Sequence, residues 1–137
     1  MINMKEDDIK NILFANQIAY AGHGSIYATL QPSVGAYKNG LGSTMYVMKD
    51  HILHLNNEGL TIIAIDDNDG QLLPDTLIFL PMNSIQIHLK IHLTHIKMII
   101  TSSNGDIVFK VYKNVIGCPW HKENLSFLML QSTTTSR

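Results

Sequence analysis

Histidines in the second half of the chain are the side chains whose spacing could do chemistry. His88 and His92 stand four residues apart, His95 follows, and His121 lies further along. On a helix, a spacing of four would bring two imidazoles to the same metal ion. On a strand, His88 and His92 would share a face but lie about 13 Å apart, which is too far for one ion. The chemistry therefore depends on which element carries them.

The residues around His88 predict a strand. Apolar residues at positions 85, 87, 89, 91 and 93 alternate with Gln86, His88, Lys90 and His92, so one face is apolar and the other is polar. This alternation favours a solvated strand over a metal site. No catalytic, cofactor-binding or metal-ligating residue is assigned. The candidate binding surface is the polar outer face that this strand shares with lysines of the next two strands: His88, Lys90, His92, Lys97 and Lys110.

Cys118 and His121 form the second arrangement that could support a reaction. A thiol just before a helix N-terminus can have a lowered pKa, and His121 could act as its base. No Asp or Asn can be assigned as the residue that orients the histidine. The simpler interpretation is a helix entry in which Trp120 packs into the core and Pro119 occupies the first helical turn.

Two loops resemble ligand-binding motifs without matching them. In the acidic loop at 66–70, aligning Gly70 with the fixed glycine of an EF-hand places Ile65 and Thr76 where carboxylates are required. The second loop contains Gly35, Gly40 and Gly42. It lacks the Gly-Lys-Ser/Thr sequence with which a phosphate-binding loop ends. Both segments are predicted to be loops, so no cofactor is expected.

Composition and charge narrow the class of protein. A chain of 137 residues with 45% hydrophobic residues is expected to form one soluble domain. One cysteine permits no internal disulfide, and the acidic start of the chain is unlike a secretory signal, so a cytoplasmic location is expected. The net charge of −1 combines an acidic first part with a basic part from Pro81 onward. Arg137 is the only arginine, which argues against nucleic-acid recognition.

The order of predicted elements describes a β-rich domain with a helix at each end. Asn3 and Glu6 resemble a capping box for the first helix, which Gly22 and Gly24 would end. Lys49-Asp50 is predicted to be a hairpin turn. The predicted helices cover residues 3–17 and begin near Pro119-Trp120, and the predicted strands cover 25–30, 44–48, 52–55, 60–65, 76–80, 85–93, 96–101 and 107–112.

Asn104-Gly105 predicts a two-residue hairpin turn near the end of the chain. This turn would pair Ile100 with Phe109 and Met98 with Val111, all on the buried face. A tight turn near Thr94-His95 would likewise place His92 opposite Lys97. That cationic neighbourhood should keep His92 neutral, so acidification should weaken the sheet or recruit an anion to it.

These elements predict a strongly bent antiparallel sheet or partly open barrel of about seven strands, capped by the C-terminal helix. The order resembles the pleckstrin-homology-like (PH-like) fold, and more closely the small bacterial PH-like proteins, with an extra N-terminal helix. The expected parts are an N-terminal helical extension (1–24), a PH-like barrel (25–131) and a disordered tail (132–137). The resemblance is carried by Ile78-Phe79-Leu80-Pro81, Ser84-Ile85, residues 97–101, Asn104-Gly105, Phe109-Lys110-Val111, Gly117 and residues 120–125.

The resemblance implies a non-catalytic binding or assembly module, because bacterial PH-like proteins are often oligomeric. A protein partner or a second copy of the chain is therefore expected, and no enzymatic activity. PH domains that bind phosphoinositides usually cluster basic residues in the early hairpin, where this chain offers only Lys38, so phosphoinositide binding is disfavoured. Two alternatives remain: a peripheral binder of anionic lipid or small anions through the basic second half, and a small-barrel enzyme.

Overall fold

The computed structural model describes residues 4–31, 49–103 and 105–135. The predictions for the strand at 44–48, the glycine stretch with Lys38, and the caps and turns at Asn3 and Asn104 lie outside these residues. The helices are α1 (Glu6–Ala15) and α2 (His121–Thr135). The strands are β1 (Ser25–Gln31), β2 (Asp50–Leu55), β3 (Gly59–Ile65), β4 (Leu72–Pro81), β5 (Ile85–Ile91), β6 (His95–Ser102) and β7 (Gly105–Tyr112).

The seven strands form one antiparallel sheet in the order β4-β3-β2-β1-β7-β6-β5. Within the described part of the chain, β4 and β5 are the sheet edges and do not pair with each other, so the sheet is not closed. The predicted fold class, a mainly β protein with an open, seven-stranded sheet and two helices, is confirmed. A sheet of this kind followed by a C-terminal helix is compatible with a PH-like fold.

The inner face of the sheet surrounds the larger hydrophobic core. Alternate residues of every strand contribute to it, and side chains from both halves of the sheet meet in one cluster, which requires the sheet to curve around them. Helix α2 covers this cluster with Leu125, Leu128 and Met129. Its fully buried centre includes Leu53, Leu60, Ile62, Ile96, Ile100 and Phe109.

A second, smaller core lies on the outer face, where α1 covers β1 to β3. Ile9 and Leu13 of α1 are fully buried there, and they pack with Tyr27 and Cys118. Trp120 belongs to this outer cluster rather than to the core on the inner face of the sheet. Its Nε1 donates to the Met4 carbonyl oxygen at 2.8 Å. The predicted core position of Trp120 is therefore corrected to a half-buried one against the N-terminal segment.

The helix boundaries also differ from those predicted. Helix α1 ends at Ala15, well before Gly22, because the Asn16 side chain donates to the Ile12 carbonyl and Gln17 turns the chain at a φ of 60°. Lys5 precedes the helix without a side-chain cap. Helix α2 begins at His121, after a turn that contains Pro119, rather than at Pro119 itself.

Strand registers are shifted from the predicted ones by two residues. Met98 lies opposite Phe109 and Ser102 opposite Gly105, so Gly105 is paired in β7 instead of forming the turn. A shift of two keeps every side chain on its predicted face, and Phe109 is fully buried. Asp50, predicted to form a turn, is instead the first residue of β2, opposite Thr29.

Candidate functional site

Three lysines form a row across β5, β6 and β7 on the outer face of the sheet. Lys90 lies directly opposite Lys97, and Lys97 lies directly opposite Lys110. Their neighbours along each strand point into the inner core, which fixes the lysines on the outer side. Because adjacent strands are about 4.8 Å apart, the row spans roughly 10 Å. The predicted pair His92–Lys97 is wrong, since β5 ends at Ile91 and the register is shifted.

This lysine row carries unbalanced charge. Like charges directly opposite one another destabilise a sheet, by on the order of 1 kcal/mol for two unit charges a few ångströms apart in water. Among the residues that the structure describes, no carboxylate forms an ion pair with Lys90, Lys97 or Lys110. The stretch 32–48 contains no Asp or Glu. The row is therefore suited to an external anion that would relieve the repulsion.

The acid nearest to the row along the sheet is Asp50, two strands away from Lys110. Thr29 lies between them, opposite both residues. The Asp50 carboxylate accepts hydrogen bonds from the Tyr27 hydroxyl at 2.5 Å and the Thr29 hydroxyl at 3.0 Å. Burial, and then the bond to Asp50, raise the pKa of Tyr27, so its hydroxyl remains a donor. Asp50 is thus bound to its own strands and forms no ion pair with these lysines.

Aromatic and imidazole rings lie beside the lysine row at the start of β6. The rings of His92 and His95 stack with centroids 4.7 Å apart, and His95 lies opposite Tyr112, whose ring is 5.7 Å from the Lys110 Nζ. Desolvation, followed by the neighbouring charges of His92 and Lys110, lowers the pKa of His95. This neighbourhood therefore disfavours the protonated form of His95.

The end of β5 and the turn that follows it expose two large apolar side chains. Leu93 is 90% exposed and Ile91 is 63% exposed. The alternating pattern predicted Leu93 on the buried face, but β5 ends at Ile91 and Leu93 falls in the turn. The backbone of Lys113 donates to the Thr94 carbonyl, which brings a fourth lysine to this turn. An exposed leucine in a turn next to lysine-bearing strands is typical of a surface that contacts an anionic membrane.

The predicted surface residues therefore separate into two groups. The structure aligns Lys90, Lys97 and Lys110 in one row, with His88 on the same face opposite Ile99. His92 lies beyond the strand and stacks on His95 instead. The sequence reasoning missed three contributors, His95, Tyr112 and Leu93, because only the register and the end of β5 bring them to this surface. We call the surface formed by His88, Lys90, His92, Lys97 and Lys110 the basic face.

A serine and a histidine in contact elsewhere do not form an activated nucleophile. The Nε2 of His54 accepts from the Ala21 amide at 3.0 Å, so in the neutral ring Nδ1 carries the hydrogen and donates to the Ser25 hydroxyl at 2.7 Å. A general base would have to accept the serine proton instead. Burial lowers the pKa of His54 to about 4. Through these two hydrogen bonds, His54 of β2 holds the loop before β1 and the first residue of β1 in place.

Cys118 and His121 are likewise committed to structure. Burial raises the pKa of the Cys118 thiol to about 11, so it stays protonated at neutral pH. His121 accepts from the Tyr27 amide through Nδ1 at 3.0 Å and donates through Nε2 to the Tyr112 carbonyl at 2.6 Å. Burial lowers the pKa of His121. Both ring nitrogens thus connect the start of α2 to β1 and β7.

The acidic loop is a turn whose carboxylates serve its own backbone. Asp66 Oδ1 accepts from the Asn68 amide at 2.7 Å, and Asp69 Oδ1 accepts from the Gln71 amide at 2.9 Å. Gly70 has a φ of 72°, which a glycine adopts without strain. In the ranges 4–31, 49–103 and 105–135, no group of three or more His, Cys, Asp or Glu side chains could hold a metal ion.

Neither helix in the described part of the chain combines the length and the apolar character that crossing a bilayer requires.

Comparison with protein-family models and with curated protein sequences gives no match for this chain.

Proposed function

We propose that this protein is a non-catalytic binding module of PH-like fold, related to the small bacterial PH-like proteins, that docks on an anionic lipid surface through its basic face. The observation that carries the proposal is the row of Lys90, Lys97 and Lys110, which repel one another and have no described counter-charge. An anionic headgroup layer would supply that charge, at about 1 kcal/mol per lysine near the surface.

The exposed turn favours a lipid surface over a small dissolved anion. Leu93 lies in the turn that follows β5, and its exposed apolar side chain gains nothing from a free anion but can enter the headgroup region. The histidines His54 and His121 and the thiol of Cys118 are occupied by structural contacts, which supports a non-catalytic role. A cytoplasmic location, where anionic lipids face the protein, belongs to the same proposal.

A dye placed on the turn tests this docking directly. We expect a Leu93→Cys protein carrying an environment-sensitive fluorophore to show a blue-shifted emission with phosphatidylcholine vesicles that contain phosphatidylserine, and no change with phosphatidylcholine alone. The buried thiol of Cys118, with its pKa of about 11, leaves position 93 as the reactive site. Leu130→Cys is the control, because Leu130 lies on α2, which covers the inner face. An equal response from both positions, or from neither, would contradict the proposal.

A second candidate function is self-association through α2. The Phe127 ring stacks on His23, but 43% of Phe127 and 66% of Leu130 remain exposed on this helix, while Leu125 and Leu128 face the inner core. This exposed apolar pair favours a protein partner, with a second copy of the chain as the simplest one. Sedimentation velocity over a range of concentrations should then show a dimer that Leu130→Lys abolishes. A protein that remains monomeric at every concentration would exclude this role.

A further inference from the structure

A cavity of about 340 Å³ lies between the middle of α2, the loop before β1 and the β2–β3 turn. It is on the inner side of the sheet and shares no lining residue with the basic face. Its lining includes Gly22, His23, Leu53, Met82, Met98 and Leu128. We call it the α2 cavity, and its size is at the lower end of small-molecule sites, which begin at roughly 300 Å³.

We propose that the α2 cavity binds a small single-chain amphiphile with an uncharged, hydrogen-bonding head group. This inference stands apart from the proposed lipid docking, since it concerns the opposite face of the sheet. Its inner wall is formed by core side chains, among them Leu53 and Met98, which are nearly fully buried. An apolar chain that packs against this wall would be removed from water into contact with the inner core, which is favourable.

His23 provides the polar group at the rim. The Nδ2 of Asn124 donates to the Ser25 carbonyl at 2.9 Å and to Glu6 Oε2 at 3.1 Å, so its Oδ1 must accept from His23. His23 Nδ1 therefore carries a hydrogen and donates to that Oδ1 at 3.0 Å. In the neutral ring, Nε2 then holds a lone pair, and no described residue donates to it. The rim thus offers an acceptor for a hydroxyl or amide N–H.

The position of His23 is fixed rather than adaptable. Its ring stacks on Phe127 with centroids 3.8 Å apart and planes 2° from parallel, and its backbone has a φ of 64°. A non-glycine residue in this left-handed region is uncommon and costs conformational energy, a feature that concentrates at ligand sites. The acceptor nitrogen is therefore held at one place on the rim.

The charges around the rim select the head group. Among the described residues that line the cavity there is no Lys or Arg, and Glu123 Oε2 lies 3.4 Å from His23 Nδ1. A carboxylate head would meet this negative charge with no cation to offset it. A hydroxyl head can donate to His23 Nε2 without that repulsion, which is why the ligand is assigned an uncharged head.

Gly22 gives a way to block the cavity without disturbing the fold. A Cβ added at Gly22 would meet nothing within 4 Å, and its φ is not among the left-handed ones. At Gly24, by contrast, a Cβ would meet the Leu55 carbonyl oxygen at 2.5 Å. Gly22→Trp can therefore fill the entrance from open space, and Gly22→Ala is its matched control.

Titration of the intact protein with 1-octanol, followed by the methyl NMR signals of Met98 and Ile26, tests the proposal. We expect saturable shifts with 1-octanol, at least tenfold weaker binding of octanoate, and at least a tenfold loss of 1-octanol binding in Gly22→Trp but not in Gly22→Ala. Met82→Trp, at the same entrance, should also weaken binding and serves if Gly22→Trp does not fold. The absence of saturable shifts, unchanged binding in a folded tryptophan variant, or tighter binding of octanoate would overturn the proposal.

Discussion

Phe109→Ala is expected to lower the free energy of unfolding by about 3–5 kcal/mol, the usual cost of truncating a fully buried phenylalanine. Phe109 is completely buried between Met98 and Leu30, which lie opposite it on the neighbouring strands. Its ring packs edge-on with the His51 ring, and the two ring centroids are 5.5 Å apart. Because this position joins β1 to β6 through β7, the cavity would form where the two halves of the sheet meet.

Urea unfolding followed by circular dichroism measures this loss. Phe14→Ala is the matched control, because Phe14 is 84% exposed on α1 and the same atoms are removed. Its effect should stay within about 0.5 kcal/mol. If both variants lost similar stability, or if Phe109→Ala lost less than about 1 kcal/mol, the inner core would not be centred on β7 as described.

Acidification should destabilise the protein by about 3 kcal/mol through His54 alone. The pKa of His54 is about 4 in the folded protein, against 6.5 in the unfolded chain. The unfolded state therefore takes up the proton first, so the stabilisation is complete above pH 6.5 and is lost as the pH falls toward 4. Protonation would also break the bond from the Ala21 amide to Nε2. His121, whose pKa is lowered in the same direction, adds to the effect.

The urea midpoint measured as a function of pH tests this assignment. In His54→Gln the decline between pH 6.5 and 4 should be much shallower than in the natural sequence, although the variant is less stable at neutral pH. His88→Gln changes an exposed histidine on the basic face and should leave the decline unaltered. A decline of the same size in His54→Gln would show that other groups cause the acid sensitivity.

The faces of the strands could be predicted from the sequence, whereas their register could not. Alternation alone placed Phe109 and Met98 inside and Lys97 and Lys110 outside, because the side-chain period of a strand is two. The register depends on whether Gly105 belongs to the hairpin turn or pairs with Ser102 in the sheet. Both arrangements place the same side chains on the buried face, because they differ by two residues. A surface of lysines was therefore predictable, but their alignment opposite one another was not.

The second core explains the error at Trp120. Nothing in the sequence near Trp120 indicates that the chain forms a separate cluster on the outer face, since its partner Met4 is more than a hundred residues away. Leu93 was misplaced for a local reason, because β5 ends two residues before the apolar alternation does. Long-range packing and the ends of the strands and helices therefore could not be predicted from the sequence.

The central claim, that the row of lysines binds an anionic lipid surface, is tested most directly by co-sedimentation with vesicles that contain phosphatidylserine. Replacing Lys90, Lys97 and Lys110 by Gln should lower the affinity about 100-fold, from about 1 kcal/mol per lysine. This triple variant should be as stable as the natural sequence or more so, because the opposed charges are gone. The same replacement at Lys5, Lys10 and Lys122, exposed lysines elsewhere, changes the net charge equally. We predict that this second triple variant binds nearly as the natural sequence does, and that salt weakens both. Equal losses in the two triple variants, or natural protein that does not sediment with these vesicles, would contradict the account.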